Sequence, residues 1–263
     1  MRTFIRTFIR TFMVMLIIVL GVSQAQTVEL GLRYNPEFTW LLNKNDNNAG
    51  SSLNLTSNFG YFYFGAGGII NFNNYLGVAI DLLFSREGQR FEGNFTSGSF
   101  DVATYSPVVR RQLDLNNMES EGEYVAKAEL NYIKIPIMIS LTTDNTKQFF
   151  FTLQAGPQFN FLVDVAQEVN HHDLDYPNSN INPIDLYKSF TINGVLAVGS
   201  AYNLSSHLIL SAKVRVDYGF DDVEKKDIMV SYYGAAPVHF YSTDRQATHN
   251  LTVGLLLGFD FKL

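Results

Sequence analysis

Residues 127–163 read KAELNYIKIPIMISLTTDNTKQFFFTLQAGPQFNFLV, and this stretch decides the fold. Bulky apolar side chains occupy every second position from Ile133 to Leu141, and most second positions from Phe149 to Phe161. The positions between them are mostly small or polar, and turn-forming residues stand at 144–146. This period of two predicts two strands joined by a tight turn, each strand with one apolar and one polar face. Which face lies inside distinguishes a soluble barrel from a membrane barrel.

Length and composition narrow the classes of protein. The chain has 263 residues, 46% of them hydrophobic, with a formal net charge of −6 and no cysteine. The length allows one large β-domain as easily as two smaller domains. An acidic chain without a basic cluster argues against a nucleic-acid partner. The absence of cysteine excludes disulfides, thiolate metal sites, cysteine nucleophiles and the lipid-attachment cysteine of a lipoprotein.

The N-terminus has the three parts of a secretory signal peptide. Three arginines lie in the first ten residues, the apolar run Phe12–Val22 follows, and Ser23-Gln24-Ala25 places small residues where a signal peptidase reads. The alternative is an uncleaved anchor, but a spanning helix needs about 20 apolar residues and this run is shorter. We therefore expect residues 1–25 to be a signal peptide cleaved after Ala25 and residues 26–263 to form the β-barrel domain.

Six further segments have strand character, which gives eight strands with the opening pair. Their expected bounds are about Thr27–Leu42, Asn58–Asn71, Tyr75–Phe91, Ser189–Tyr202, His207–Tyr218 and His249–Leu263. The second of them is rich in aromatic residues and glycine, so its faces are ambiguous. Long and short connections alternate strictly, and the long ones are Asn43–Ser57, Glu92–Val125, Asp164–Lys188 and about Gly219–Thr248. Part of the second long connection, such as Ser99–Val109, could extend the flanking strands as a hairpin.

The polarity of the two faces favours a membrane barrel. The apolar face is continuous and carries aromatic residues near strand ends, as in the interfacial girdles of membrane barrels. An Arg or Lys that faced lipid at mid-depth would cost about 2–4 kcal/mol, so the strand charges must face the lumen, where opposite charges pair. The expected lumen network consists of Glu29, Arg33, Glu37, Asp81, Lys134, Lys213, Arg215, Asp217 and Asp260.

Together these patterns predict an all-β fold, an eight-stranded antiparallel up-and-down transmembrane β-barrel with short periplasmic turns and long external loops. The expected location is the outer membrane of a Gram-negative cell. The interior of an eight-stranded barrel is filled by side chains, so we expect no open pore. The expected partners are outer-membrane lipid, the barrel-assembly machinery during biogenesis and a protein at the external loops. We expect no nucleic acid, no cofactor and no metal.

Four short motifs resemble the PorT-like outer-membrane β-barrel family. They are Leu130-Asn131-Tyr132-Ile133-Lys134-Ile135-Pro136-Ile137, Gln154-Ala155-Gly156-Pro157, Glu29-Leu30-Gly31-Leu32-Arg33-Tyr34 and Leu82-Leu83-Phe84-Ser85-Arg86-Glu87-Gly88. The family commonly has an acidic residue where this chain has Lys134, which could reverse one lumenal ion pair. The family's name comes from a component associated with type IX secretion, and that role does not follow from the name alone.

The last strand resembles the C-terminal signal that the barrel-assembly machinery recognises in its clients. Leu257, Phe259 and Phe261 alternate as that signal requires, whereas the terminal Leu263 replaces the usual aromatic residue. The alternative is that any last strand of a membrane barrel shows the same alternation.

Candidate chemistry is confined to the loops. His171, His172, Asp173 and Asp175 could bind a divalent metal or act as an acid–base pair, but two adjacent histidines in a loop make a poor preformed site, and a solvated loop is the alternative. His239 and Ser242 form a weaker serine–histidine candidate, because no orienting third group is evident. We therefore assign no catalytic, cofactor-binding or metal-binding residue.

Two other clusters have structural interpretations. The charged segment 221–227 is expected to be a solvated loop stem, and the glycines at 65–68 are expected to permit close packing or curvature of the barrel wall.

Three functions stay open on the sequence. The first is a closed outer-membrane barrel with a structural role or an interaction through its external loops. The second is an accessory component of a secretion or envelope machine, similar to type IX secretion. The third is an outer-surface barrel enzyme with a loop-based acid–base site; a small-solute channel is the least supported.

Overall fold

The structure is a computed structural model. It describes residues 27–43, 53–56, 58–95, 122–171, 183–225, 229–230, 238–239 and 247–263. The expected signal peptide and the expected hairpin at Ser99–Val109 lie outside these residues. None of the described residues belongs to a helix that is long and apolar enough to cross a membrane.

Within this part of the chain, strands account for nearly all regular structure. They are β1 (Thr27–Asn43), β2 (Leu53–Thr56), β3 (Asn58–Asn71), β4 (Leu76–Phe95), β5 (Gly122–Thr142), β6 (Phe149–His171), β7 (Phe190–Asn203), β8 (Leu208–Gly219), β9 (Met229–Val230), β10 (Val238–His239) and β11 (Thr248–Lys262). A single turn of 3₁₀-helix at Pro183–Leu186 precedes β7.

Eight of these strands form a closed antiparallel ring. Its order is β1-β11-β8-β7-β6-β5-β4-β3, and β3 pairs with β1 to complete it. Each strand therefore lies beside its neighbours along the chain, and β1 meets the last strand. The expected eight-stranded up-and-down barrel is confirmed. Closure leaves no unpaired strand edge along the paired lengths.

The strands are staggered around the ring. Opposed residues can be followed from Thr39 through Thr252, Asp217 and Val195, and then through β6, β5, β4 and β3 to Glu29. The path returns to β1 ten positions earlier, since 39 − 29 = 10. Because β1 begins at the end with the short turns, each hydrogen-bonded row descends towards that end on the way from β1 through β11 to β6.

The apolar side chains of the strands point outward, away from the lumen. Leu32, Ile139 and Val214 are 65%, 58% and 57% exposed, whereas Lys134 and Arg215, which point inward, are 0% and 1% exposed. This is the polarity of a membrane barrel and the reverse of a soluble one. It also resolves β3, where Phe64 points outward and Tyr63 points into the lumen.

Short turns occupy one end of the barrel, at residues 72–75, 143–148 and 204–207. Asn73 Oδ1 accepts hydrogen bonds from the amides of Tyr75 and Leu76, at 2.8 and 2.9 Å. Asp144 Oδ1 accepts bonds from the amide and hydroxyl of Thr146. Such side-chain bonds to the following backbone are why Asn and Asp favour turns. We call this the short-turn end and the other the long-loop end.

Three strands run further at the long-loop end than the sequence indicates. β4 continues to Phe95, β5 begins at Gly122, and β6 continues to His171 rather than ending near Val163. The ladder between β4 and β5 is continuous to Phe95, and β5 pairs with β6 as far as His171. Alternation of apolar residues stops where the apolar band stops, but hydrogen bonding between the strands does not. The expected loop boundaries were therefore wrong at these three places.

Candidate functional site

The lumen nearest the short-turn end is organised around one arginine. Arg33 Nε lies 3.2 Å from Asp81 Oδ1, and Arg33 Nη1 lies 2.5 Å from Asp260 Oδ1. All three side chains are at most 3% exposed. A guanidinium can serve two carboxylates at once because its donors form a rigid planar fork. Arg33, which lies on β1, therefore links β4 and β11 through two ion pairs.

Two glycines make room for this group. Gly31 and Gly67 lie opposite each other on β1 and β3, flanked by Asp260 and Asp81 in the same row. A Cβ at Gly67 would overlap the Asp81 carboxylate, and one at Gly31 would overlap that of Asp260. Glycine is used where another group must approach the backbone closely. The two glycines let both carboxylates turn inward to Arg33.

The remaining charges of this layer have neutral partners. Lys213 Nζ donates to Gln154 Oε1 at 3.1 Å, and Gln154 Nε2 donates to the Ser140 hydroxyl at 3.2 Å. The Glu29 carboxylate accepts a bond of 2.8 Å from Asn71 Nδ2. These contacts lie next to the short-turn end of the lumen, since Asn71 is the last residue of β3.

A second charged layer fills the middle of the lumen. Arg215 donates from Nε and Nη2 to the two oxygens of Asp217, at 2.7 and 3.1 Å, and also donates to Gln158. The Arg215 guanidinium carbon lies 4.9 Å from the centre of the Tyr63 ring, a cation–π distance. Two parallel bonds to one carboxylate are the strongest arrangement available to an arginine.

Lys134 completes the middle layer. Its Nζ forms an ion pair with Glu87 and lies 3.6 Å from Asp217 Oδ2. Glu87 also accepts bonds from Ser85 and Asn250. The adjacent Glu37 accepts a bond from Asn35 at 2.8 Å. Lys134 therefore bridges two acidic residues from different strands, as Arg33 does nearer the short-turn end, whereas Arg215 pairs with Asp217 of its own strand.

The structure places all nine residues of the expected network in the lumen, each at most 4% exposed. Of the charged and aromatic residues in the two layers, two were missed. Glu87 is fully buried, and its place on the same face as Asp81 and Ser85 was visible in the alternation of its strand. Tyr63 was not visible, because its strand has aromatic residues on both faces.

An apolar cap lies over the lumen at the long-loop end. Leu186, Tyr187 and Val223 are at most 2% exposed and pack with apolar side chains of β1, β5 and β6. The segments 183–188 and 221–225 are joined by backbone hydrogen bonds, from Lys188 N to Val223 O at 2.9 Å and from Lys225 N to Leu186 O at 2.8 Å. We call these two segments the outer cap.

The outer cap corrects the expectation for the charged segment at residues 221–225, while Lys226 and Asp227 of that segment lie outside the described residues. Asp222 and Glu224 are 8% and 0% exposed, so they are not part of a solvated stem. Asp222 Oδ1 accepts bonds from the amides of Glu224 and Thr248, and Glu224 Oε2 accepts one from the Thr248 hydroxyl. The Asp222 carboxylate binds two backbone amides and the Glu224 carboxylate binds a hydroxyl, and these bonds offset the cost of burying the charges.

The loop candidates for chemistry are not assembled in the described part of the chain. His171 is the last residue of β6 and His239 is the last of β10, while His172, Asp173, Asp175 and Ser242 lie outside the described residues. The described residues contain no group of three or more His, Asp or Glu that could hold a metal ion. The charged layers are withdrawn from solvent, so their arrangement suits holding strands together rather than reacting with a substrate.

Comparison with known proteins agrees with this geometry. The family model described as outer membrane protein beta-barrel domain matches residues 22–225. The chain belongs to this family. Outer-membrane barrels typically have short turns in the periplasm and long loops outside the cell, so we assign the short-turn end of this barrel to the periplasm.

Several solved barrels are similar in fold. Ail, the attachment invasion locus protein of Yersinia pestis, is 8% identical, with 91% of this chain and 100% of that chain covered and a TM-score of 0.42. Neisserial surface protein A is 10% identical, with coverages of 89% and 98% and a TM-score of 0.41. The outer membrane protease OmpT of Escherichia coli is 9% identical, with coverages of 90% and 95% and a TM-score of 0.39. The comparison with curated proteins gives no significant match. Structural similarity at these TM-scores does not distinguish an enzyme from a binding protein.

Proposed function

We propose that this outer-membrane barrel is a closed anchor that holds a rigid sheet outside the cell for contact with a protein partner. The observation that supports this proposal is that side chains fill the lumen. Two charged layers, around Arg33 and around Arg215, cross it, and the outer cap covers its external mouth. An eight-stranded barrel has room for side chains but not for these side chains and a water channel together. The lumen therefore holds the wall in shape and does not conduct.

The part available for contact is the sheet that β2 forms with the parts of β4, β5 and β6 beyond the apolar band. We call it the upper sheet. On β4, β5 and β6 the outward apolar band ends at Phe84, Ile133 and Val163, and polar side chains follow. Arg86 donates to Asn131 at 3.3 Å, and Asn131 donates to Asp164 at 3.5 Å, in a row across the three strands. This row marks the level at which the sheet leaves the membrane.

The upper sheet has a fixed orientation. Its inner face contributes Ala128, Leu130 and Val165 to the apolar cluster with Leu186 and Tyr187 of the outer cap. Packing against this cluster fixes the orientation of the sheet relative to the barrel, whereas a hairpin without such contacts would change its orientation freely.

The upper part of β6 is the contact edge that we propose. From Asp164 to His171, β6 pairs with β5, while the ladder between β6 and β7 ends at Phe161 and Phe190. Among the described residues this stretch therefore has a strand on one side only. A strand edge of this kind accepts an extended segment of another protein by β-augmentation.

Planar-bilayer recording tests the closed lumen. The purified, heat-modifiable protein is expected to give no stepwise openings in concentrated KCl, because both charged layers and the cap would have to move. An open porin reconstituted in the same way is the positive control. Reproducible openings that scale with the amount of this protein would refute the closed anchor.

The PorT-like resemblance supplies a finer candidate, an accessory role in type IX secretion. It rests only on the resemblance to that family, and the chain departs from the family's common acidic residue at Lys134. A strain that lacks the protein is expected to secrete fewer surface proteins if this candidate holds. Unchanged secretion together with a closed lumen would leave the anchor role and remove the secretion role.

A further inference from the structure

The wall that faces lipid carries a groove that neither the lumen nor the upper sheet uses. Its volume is about 680 Å³, and its lining spans β3, β1, β11, β8, β7 and β6. This volume lies within the roughly 300–1,000 Å³ of ordinary ligand pockets. The side chains that line it on the outward side include Phe64, Tyr34, Leu257, Ala212, Ser200 and Tyr202.

Two small residues form the floor of the groove. Ser200 and Ala212 lie opposite each other on β7 and β8. The outward neighbours two positions away on the same strands are all large: Val198, Tyr202, Leu210 and Val214. A depression therefore opens between the side chains above and below this pair, and Leu257 and Phe149 bound it on the flanking strands.

The stagger of the barrel makes the groove slope. Hydrogen-bonded rows descend towards the periplasmic end on the way from β1 through β11 and β8 to β6, so Phe64 stands at the upper end and Phe149 at the lower. Six strands about 4.8 Å apart give the groove a length of about 24 Å. The groove thus runs obliquely down the apolar band from Phe64, which lies opposite Phe84, to the periplasmic rim, the path of an acyl chain whose headgroup lies at that rim.

Polar and charged groups stand at the lower end. The Tyr202 hydroxyl accepts a bond of 2.6 Å from Gln148 Nε2, in the turn that precedes Phe149. The next residue back, Lys147, is exposed. Asp144 of the same turn is half-buried, and its bonds from the amide and hydroxyl of Thr146 lower the pKa of its carboxyl. The rim therefore offers a cation and an anion side by side, which complements a zwitterionic phosphate headgroup.

We propose that this groove binds one phospholipid of the periplasmic leaflet, with an acyl chain over Ser200 and Ala212 and the phosphate beside Lys147. A lipid is the occupant because the lining faces hydrocarbon, the floor is apolar apart from one hydroxyl, and the lower end meets charges at headgroup level. The site is independent of the upper sheet and of any protein partner.

Native mass spectrometry of the folded protein from nanodiscs of phosphatidylethanolamine tests the site. The wild type is expected to retain one phospholipid. Ala212→Phe fills the floor and is expected to reduce the retained fraction about tenfold, which corresponds to roughly 1.4 kcal/mol. Ala155→Phe, also on the outward face but outside the groove, is the matched control and is expected to match the wild type.

Two further measurements make the result decisive. Ser200→Leu serves if Ala212→Phe does not show heat-modifiable folding, and it is expected to lower retention in the same direction. Lys147→Gln is expected to weaken retention of phosphatidylethanolamine but not of a diacylglycerol, which lacks the phosphate. Equal retention by Ala212→Phe, Ser200→Leu and Ala155→Phe would overturn the proposal. So would a two-to-two complex that Ala212→Phe abolishes, since a second copy would then occupy the groove.

Discussion

Arg33 shows how a single residue can tie a barrel together. It is buried and bonds to carboxylates from two other strands. Arg33→Leu would leave Asp81 and Asp260 as buried charges without their cation. Removing one partner of a buried ion pair costs about 3–5 kcal/mol, and we expect the free energy of unfolding to fall by that amount. Urea unfolding in lipid vesicles, followed by the fluorescence of Trp40, the one tryptophan of the chain, measures it.

A second arginine supplies the control. Arg86 lies 4.0 Å from Glu129, and the two side chains are 47% and 32% exposed. Exposed pairs of this kind contribute about 0–1 kcal/mol, so Arg86→Leu is expected to change stability by no more than that. Adding Asp81→Asn and Asp260→Asn to Arg33→Leu should recover most of the loss, because neither position then holds a buried carboxylate without its cation. A similar loss for both arginine variants would contradict the role assigned to the lumen.

At the scale of residues, much of the lumen could be predicted from the sequence. Strand alternation decides which face a side chain occupies, and a charge on a membrane strand has only the lumen to enter. Partner choice could not be predicted, because Arg33 reaches Asp81 and Asp260 only through the ring closure and the space left by Gly31 and Gly67. Tyr63 was missed because alternation carries no information where both faces are aromatic.

At the scale of elements, the outer cap is expected to open independently of the barrel. Leu186 is fully buried in the cap, while its neighbour Asp185 is exposed. Leu186→Asn would bury a polar amide and lose packing, at about 2–4 kcal/mol, which raises the population of the opened cap tenfold or more. We expect trypsin to cleave after Lys188 correspondingly faster in Leu186→Asn, with unchanged heat-modifiable migration on gels.

Asp185→Asn is the control for the cap and should leave the cleavage rate at the wild-type value. Equal rates in the two variants would show that the cap does not depend on its apolar cluster. Loss of heat-modifiable migration in Leu186→Asn would show instead that cap and barrel unfold as one unit.

Elements also show where sequence patterns end. The outer cap escaped prediction because Val223 and its acidic neighbours read as a charged loop, and only contact with Leu186 and Thr248 buries them. The long strands β4, β5 and β6 escaped it for a related reason. Above the membrane level the apolar side chains, such as Ala128, Leu130 and Val165, lie on the inner face instead of the outer one, so the alternation of the membrane band does not continue there although the backbone pairing does.

At the scale of the whole molecule, the difference between the two ends of the barrel indicates its orientation in the membrane. All three short turns lie at one end, and the strands that run beyond the apolar band lie at the other. The absence of cysteine makes direction measurable with single substitutions. Ala166 on the upper part of β6 and Ser205 in the turn between β7 and β8 are both exposed, so each accepts a thiol reagent when replaced by cysteine.

A membrane-impermeant maleimide on intact cells is expected to label Ala166→Cys and not Ser205→Cys. Permeabilising the outer membrane should make Ser205→Cys reactive as well, while Ala155→Cys, on the outward wall within the apolar band, should stay unlabelled in both cases. Labelling of Ser205→Cys on intact cells would show that the barrel has the opposite orientation in the membrane. The upper sheet would then point into the periplasm, and the lower end of the groove at Lys147 would meet headgroups of the outer leaflet instead. The same pair of substitutions thus decides which surface a protein partner can reach and which leaflet supplies the lipid.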